Sequence, residues 1–472
     1  RKESSAASDV YKRQLEGIGA ELTTEDEYTK VVRIIPGGPA DLQGILKAED
    51  KIVGVGQDDE EIVDVVGWRL DDVVDLIRGA KDSTVRLEVI PGSGEAADSI
   101  SLISIVRDKV KLEEKSAQSK ILEIEQEGQT YKLGVIDIPA FYLDFEAYRN
   151  RDPNYKSTTR DVSQLLIDLT EQQVDGIILD LRNNGGGSLF EATALTDLFI
   201  DRGPVVQIRD SSQRIYRNQR ATMPALYNGP VVVMINRLSA SASEIFAGAL
   251  QDYGRALIVG SRSYGKGTVQ DVTGLTSGQL KLTISKFYRV SGDSTQHRGV
   301  LPDIAFPSAY DPEEVGESHQ DNALPWDQIR GVPHANSSEL KDLVAPLTKA
   351  HLQRSAADPD YANLVDILAL TKSWDQDKAL SLNIEKRRER SAKWDTELFG
   401  LENIRLSKKG LKPHTDIETW KEAEDPEEEN IAESDPLLQE AGHILTDQIV
   451  LQAGLKKTGQ PQLAQINKKS TE

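Results

Sequence analysis

The stretch Asn236–Gln270, NRLSASASEIFAGALQDYGRALIVGSRSYGKGTVQ, decides the fold of the middle of the chain. It follows a continuous apolar run, Val231–Ile235, and passes through small residues into an amphipathic helix predicted for Ser241–Gln251. A serine at such a strand-to-helix turn lies at the positive end of the helix dipole, beside backbone N–H groups without helical partners. Such N–H groups suit a developing oxyanion, so Ser241 is a candidate nucleophile and the N–H of Ala242 a candidate donor.

The same serine has a simpler explanation. Ser241-Ala242-Ser243-Glu244 fits the capping box S-x-x-E, which stabilises a helix by about 1 kcal/mol and is common in proteins without activity. Taken alone, capping is the commoner role. The balance shifts because Lys266 follows 25 residues later, between two glycines. The interpretation of Ser241 therefore depends on Lys266.

Lys266 has the features of a general base. Burial lowers the pKa of a lysine from about 10.4 by roughly 3–5 units, and a neutral lysine can accept the proton of a serine hydroxyl. Gln270 lies four residues further, on the same face of a strand or a helix. A neutral amide there can orient the amine without stabilising its charged form, and the alternative is an ordinary surface amide.

The scarcity of Cys and His limits the catalytic mechanisms that the chain can use. The chain of 472 residues has no Cys, which excludes disulfides, thiol nucleophiles and cysteine–metal sites. All six His lie beyond Lys266, and a Ser–His hydrolase would have to use His297, which we favour less than the lysine. No H-E-x-x-H motif occurs, which excludes a zinc protease of that type. The net charge of −21 argues against nucleic-acid binding. No apolar run reaches the roughly 18–20 residues of a membrane span, so we expect at most peripheral membrane association.

A nucleotide-binding loop is a competing interpretation. Gly260–Lys266 follows an apolar strand and matches G-x-x-x-x-G-K. However, Gly267 stands where Ser or Thr must coordinate Mg²⁺, and the helix that should follow is poorly supported. An NTPase is therefore the weaker alternative.

A glycine-rich turn supplies a third motif. Residues 182–188, RNNGGGS, directly follow the apolar strand Ile177–Leu181. Three glycines can present backbone N–H groups to an anion, although a flexible turn would look the same. Since the motif lies one strand–helix unit before Ser241, both can meet at the same carboxyl edge of a sheet, where they would form two halves of an oxyanion hole.

Patterns elsewhere predict a multidomain α+β protein. Residues 1–14 are polar and aperiodic, as in a linker or non-native segment. Residues 15–108 read as short strands with one helix over Trp68–Arg78, and residues 109–310 alternate strands and helices. Residues 311–472 show helical period and many charged residues, and we predict a C-terminal helical domain there.

The motifs NNGGG at 183–187, SASE at 241–244 and YGKGTVQ at 264–270, in this order, resemble those of the C-terminal processing peptidases. The resemblance runs from about Leu15 into the helical region, and it is strongest to the long bacterial type called tail-specific proteases. It implies a PDZ domain at 15–108, a ClpP/crotonase-like α/β protease core at 109–310 and the helical domain after it. The implied activity is that of a serine endopeptidase that needs no cofactor.

The resemblance also implies roles for individual residues. Ser241 matches the nucleophile, Lys266 the base and Gln270 its supporting glutamine. The oxyanion donors match the backbone of Ala242, Gly186 and Gly187, and two acidic residues match supporting positions that build the site, Glu244 and Asp252.

The PDZ domain is implied to bind the free apolar C-terminus of a protein or peptide substrate by strand addition. The carboxylate would be bound by the backbone of Gly17, Ile18 and Gly19. The groove would be lined by helix residues Leu70, Val73 and Val74.

Location and partners follow from the resemblance as well. It implies a periplasmic enzyme and leaves room for an adaptor protein. The long type begins with a secretion signal and a helical domain before the PDZ domain; we find neither, and expect a long-type protease that lacks its beginning. Ser263 stands where the family has Thr, which keeps the hydroxyl. A PDZ scaffold without activity is the remaining alternative, against which the intact Ser241 and Lys266 argue.

Overall fold

The computed structural model describes residues 16–25, 27–35, 38–92, 100–109, 116–217, 224–275, 279–377, 379, 381–423 and 435–457. The described residues fall into two compact units, one within Ser8–Ser116 and the other from Ala117 onward. The predicted linker at 1–14 lies outside the described residues. Within the described ranges, no helix combines the length and the apolar character that crossing a membrane requires.

The first unit is a small antiparallel β-structure with two short helices. In chain order the elements are β1 (Glu16–Gly17), β2 (Ala20–Glu25), β3 (Tyr28–Ile34), α1 (Pro39–Gln43), β4 (Lys51–Gln57), β5 (Val63–Asp64), α2 (Leu70–Ile77), β6 (Thr84–Ile90), β7 (Ser101–Val106) and β8 (Asp108–Lys109). Strands β2, β3, β4, β6 and β7 form one sheet in that order, β5 pairs with β4, and β1 pairs with β8. The helix predicted over Trp68–Arg78 is present as α2.

The second unit is built on a mixed six-stranded sheet and a smaller four-stranded one. Its elements up to residue 305 are β9 (Gln118–Gln126), β10 (Gln129–Asp137), α3 (Phe145–Arg149), α4 (Thr158–Glu171), β11 (Gly176–Asp180), α5 (Leu189–Thr196), β12 (Gln207–Asp210), β13 (Ile215–Arg217), β14 (Val231–Ile235), α6 (Ala242–Asp252), β15 (Leu257–Gly260), β16 (Thr268–Gly274), β17 (Gln279–Tyr288) and β18 (Ile304–Ala305). The large sheet has the order β18-β15-β14-β11-β10-β9, and all its pairs are parallel except β9 with β10. Strands β11 and β14 are buried along their whole length, as the continuous apolar runs indicate, because helices cover both faces.

The C-terminal helices belong to this second unit. They are α7 (Glu339–Ala357), α8 (Pro359–Asp375), α9 (Ile384–Lys408), α10 (Ile417–Ala423) and α11 (Pro436–Lys457). Helices α7 and α11 bury Leu343, Leu347, Ile444 and Leu445 in the same apolar core as strands β10, β11, β14 and β15. Two helices of the region that the sequence predicts to be helical, α7 and α11, are therefore packed on the sheet.

Three loops leave the large sheet at its carboxyl edge. Strands β11, β14 and β15 are neighbours in register, so the loops 181–188, 236–241 and 261–267 begin side by side. Helices follow the first two loops, whereas strand β16 follows the third. A phosphate-binding loop requires a helix after Gly-Lys, and the NTPase interpretation of Gly260–Lys266 is therefore wrong.

Candidate active site

Ser241 occupies a strained turn between β14 and α6. Its backbone has φ 57° and ψ −108°, a conformation that residues other than glycine rarely adopt. Such strain costs about 1–3 kcal/mol and persists only where surrounding contacts enforce it. The side chain is half-buried at the first turn of α6, so it can meet a substrate.

Glu244 provides the enforcing contacts. Its carboxylate is buried and accepts hydrogen bonds from the N–H groups of Ser241 (2.7 Å), Gly265 (2.7 Å) and Lys266 (2.9 Å), and from the hydroxyl of Ser263 (2.6 Å). The bond to the Ser241 N–H is the one that a capping box supplies. The other three join the start of α6 to the loop that carries Lys266, so Glu244 fixes both segments at once.

Burial dominates the electrostatics of Glu244. Desolvation raises the pKa of its carboxyl group to about 7, against the four hydrogen bonds, which favour the ionised form. The carboxyl group therefore changes charge near neutral pH while it holds the serine turn and the lysine loop together.

Lys266 and Ser241 line the same narrow pocket, together with Gln270. The ammonium nitrogen of Lys266 lies 3.1 Å from Oε1 of Gln270, to which it donates. A β-bulge between Val269 and Gln270 interrupts the register of β16 with β17 directly before this amide. Burial lowers the pKa of Lys266, as does the charge of Lys281, and this favours the neutral amine that a base requires.

The glycine turn lies against the serine. A methyl group built on Gly186 would lie 2.9 Å from the Ser241 Cβ. The N–H of Gly186 already donates to Oδ1 of Asn184 at 2.9 Å. Among the described residues, the N–H groups of Gly187 and Ala242 have no hydrogen-bond partner, and both residues line the pocket of Ser241. Of the three candidate oxyanion donors, these two have free N–H groups.

Asn184 is a residue of this site that the sequence does not single out. Its side-chain amide is fully buried and donates to the backbone carbonyl of Ile138 at 2.7 Å. The backbone carbonyl of Asn184 accepts hydrogen bonds from the Ala240 N–H and the Ser243 hydroxyl. It thus ties the glycine turn to the serine turn and to the end of β10. Its place in the NNGGG motif is the signal in the sequence, and the partners of these bonds lie tens of residues away.

Two other residues from the sequence lie away from Ser241. Asp252 ends α6, about 15 Å along the helix from the serine. It forms a two-point ion pair with Arg289, with distances of 2.6 and 3.0 Å, and so holds α6 to the segment after β17. The Nε2 atom of His297 is buried without a hydrogen-bond partner among the described residues, so this atom does not hold the Ser241 hydroxyl.

A wider cleft of about 590 Å³ adjoins the narrow pocket and shares Lys266, Thr268 and Gln270 with it. Its lining includes two acidic residues from the segment after the sheet, Glu317 and Asp321. The narrow pocket is lined by apolar side chains beside the serine: Leu189, Ile245, Val269 and Phe287. Together the two spaces place apolar side chains next to Ser241 and polar side chains beyond Lys266.

The candidate groove residues of the first unit differ from one another. The carbonyls of Ile18 and Gly19 accept bonds from the N–H groups of Ala40 (2.8 Å) and Ile35 (2.9 Å), which fixes the loop after β1. Gly17 itself is paired in β1. On α2, Leu70 and Val74 are half-buried, whereas Val73 is fully buried in the core of this unit. A ligand in a groove beside α2 can therefore reach Leu70 and Val74, while Val73 contributes packing.

Comparison with known proteins agrees with this architecture. Residues 132–306 match peptidase family S41, residues 310–450 match the C-terminal domain of tail specific protease (DUF3340), and residues 8–90 match the PDZ domain. The α/β part of the chain, residues 132–306, is therefore similar to the peptidases of family S41. Both the resemblance drawn from its motifs and the predicted fold class, a PDZ domain, an α/β protease core and a C-terminal helical region, are confirmed.

Among curated proteins, the chain is similar to tail-specific proteases and carboxy-terminal-processing proteases. The tail-specific protease of Haemophilus influenzae is 40% identical over 455 residues, which are 94% of this chain and 61% of that protein. The carboxy-terminal-processing protease of Bartonella bacilliformis is 32% identical, over 63% of this chain and 62% of its own. A solved PDZ domain of the carboxy-terminal protease from Vibrio cholerae, in complex with peptide, is 52% identical over 21% of this chain and 98% of that one, with a TM-score of 0.20. The chain spans about three fifths of the length of these curated relatives.

Proposed function

We propose that this protein is a serine endopeptidase that cleaves proteins carrying a free apolar C-terminus. Ser241 is the nucleophile, Lys266 the general base and Gln270 the group that orients the lysine. No metal or other cofactor takes part.

The proposed reaction has two halves. The neutral amine of Lys266 takes the proton of the Ser241 hydroxyl as its oxygen attacks the substrate carbonyl. The negative charge that forms on the carbonyl oxygen is stabilised by the N–H groups of Gly187 and Ala242. The intermediate then collapses to an acyl-enzyme, and the ammonium of Lys266 protonates the departing amine. In the second half Lys266 takes a proton from water, the water attacks the ester, and Ser241 recovers its proton.

One observation carries the proposal: Ser241 and Lys266 line one pocket, and the backbone N–H groups of both donate to the carboxylate of Glu244. A helix cap alone would need only the bond from Glu244 to the Ser241 N–H. The additional hydrogen bonds between Glu244 and the loop of Lys266 are explained if the serine and the lysine must be held at a fixed separation.

We further propose that the PDZ domain recruits the substrate tail. In such domains the tail adds as a strand beside a helix, and its carboxylate binds backbone N–H groups. Here the tail would lie along β2 and α2, with Leu70 and Val74 in the groove and Gly17, Ile18 and Gly19 at the carboxylate. The relationship to tail-specific proteases also leads us to place the enzyme in the periplasm and to expect that an adaptor protein can present substrates to it.

The test is cleavage of an unfolded protein with an apolar C-terminus, in the absence of ATP. We expect the wild-type protein to cleave this substrate. Ser241→Ala and Lys266→Ala should lose cleavage but unfold at about the same temperature as the wild type. Lys266→Arg is the sharper control, because it keeps the charge but cannot act as a neutral base. Activity that survives in Lys266→Arg would contradict the base. If Ser241→Ala only destabilises the protein by about 1 kcal/mol and still cleaves, the serine is merely a helix cap.

A further inference from the structure

A second cleft, of about 640 Å³, lies at the carboxyl edge of the large sheet and shares no lining residue with the two spaces around Ser241. The ends of β10, β11, β14 and β15 form its floor, and residues of α8 and the start of α11 form its walls. This volume is within the range of small-molecule sites, and in α/β sheets such sites concentrate at the carboxyl ends of the strands.

Some of the charged side chains that line this cleft form ion pairs with one another, whereas Asp137 does not. Arg182 bridges Asp180 and Asp435, each at 2.6 Å, so these three groups satisfy one another. Asp137 lies beside Asp180 in the sheet register, and its carboxylate, in the part of the chain that the structure describes, has neither a hydrogen bond nor an ion pair. Asp137 is exposed to solvent at this edge of the sheet. Desolvation by the surrounding residues and the charge of Asp180 raise the pKa of Asp137, while the charges of Lys120 and Arg182, which line the same cleft, act in the opposite direction. A cation placed at Asp137 would relieve this unfavourable carboxylate pair.

The remaining lining is largely apolar. Leu364 and Leu368 lie one turn apart on α8 and are half-buried, and Phe306 is buried on the side of the sheet. We propose that this cleft binds a small molecule with an ammonium or guanidinium group on an apolar body. The cationic group lies at Asp137, and the body packs against Leu364, Leu368 and Phe306.

Such a ligand would touch the back of the active site. Asn183 and Asn236 line the cleft and are joined by two hydrogen bonds, of 2.9 and 2.8 Å. The chain runs from Asn183 into the glycine turn and from Asn236 into the turn of Ser241. Occupancy of the cleft therefore changes the rate of peptide cleavage, a consequence that rests on the proposed function, whereas binding itself does not.

Binding is tested by calorimetry on the full chain, with phenethylamine as the probe and phenethyl alcohol as the uncharged control. A charge-assisted hydrogen bond predicts that the amine binds about tenfold more tightly than the alcohol. Asp137→Asn removes this difference, and Leu368→Ala weakens both ligands. Glu123→Gln, a change of an exposed carboxylate on β9, leaves both affinities unchanged. Equal binding of the two probes, an Asp137→Asn protein that keeps the preference, or failure of phenethylamine to bind would overturn the site.

Cleavage is measured separately. Saturating phenethylamine changes kcat for a tailed peptide in the wild type and not in Asp137→Asn. Binding without a change of rate overturns the coupling to the active site. A protein that binds the amine but cleaves nothing counts against the proposed protease and leaves the ligand site standing.

Discussion

Gly186 offers the most direct perturbation of the site without removing a reacting group. An alanine methyl group at this position would lie 2.7 Å from the Ala240 carbonyl oxygen and 2.9 Å from the Ser241 Cβ. Ordinary contacts of such atoms are about 3.5 Å, so the serine turn must move by roughly half an ångström or more. The backbone φ of +103° adds strain of about 1–3 kcal/mol for any residue but glycine.

A shift of 1 Å in a reacting group can cost about a hundredfold in rate, so we expect Gly186→Ala to lower kcat by about ten- to a hundredfold. Gly185→Ala is the matched control, because a methyl group there meets nothing within 4 Å. We expect its kcat to stay within about twofold of the wild type. The assay is single-turnover cleavage of a tailed peptide, with thermal unfolding of each variant. Equal losses in both variants, or full activity of Gly186→Ala, would refute the proposed contact between the glycine turn and Ser241.

Three further predictions concern the charges and the groove. Glu244→Gln leaves buried N–H donors without acceptors and should lower the free energy of unfolding by about 1–3 kcal/mol for each. The folded protein binds the proton of the Glu244 carboxyl group more tightly than the unfolded chain does, so the wild type loses about 3 kcal/mol of stability as pH rises from 4.5 through about 7. Denaturant unfolding of Glu244→Gln should lack this loss. The same pH dependence in wild type and variant would contradict the raised pKa of Glu244. Cleavage should rise with pH as Lys266 loses its proton; Lys281→Gln should move this limb to higher pH and Glu317→Gln to lower pH, and shifts in the opposite directions would contradict the assigned charges. Val74→Asp should weaken binding of an apolar-tailed peptide at least several-fold in a fluorescence titration, and unchanged affinity would exclude the groove beside α2.

Local patterns were enough to predict the strand–turn–helix that positions Ser241. A continuous apolar run indicates a strand buried on both faces, and small residues followed by an amphipathic period indicate the helix start. The same reasoning placed the glycine turn at the same sheet edge, since loops after parallel strands emerge together. These features depend on residues close in the chain.

What the sequence could not supply depends on distant contacts. The bonds of Asn184 reach Ile138, 46 residues earlier, and those of Glu244 reach the loop around Lys266. The apolar stripe of α2 predicts a helix but does not tell which members face the core, and Val73 proved fully buried. For Gln270 the spacing allowed a strand or a helix, and the pairing of β16 with β17 decides for the strand.

The central claim is that Ser241 forms a covalent acyl intermediate with Lys266 as its base. It is tested by mixing the enzyme with a p-nitrophenyl ester of a short apolar peptide, recording the burst of p-nitrophenol, and mapping the quenched protein by mass spectrometry. We expect a burst of about one equivalent of product and the acyl group on the peptide that contains Ser241, as an accumulating acyl-enzyme requires. Both should vanish in Ser241→Ala. An acyl group on another residue, or a burst that persists in Ser241→Ala, would contradict the mechanism.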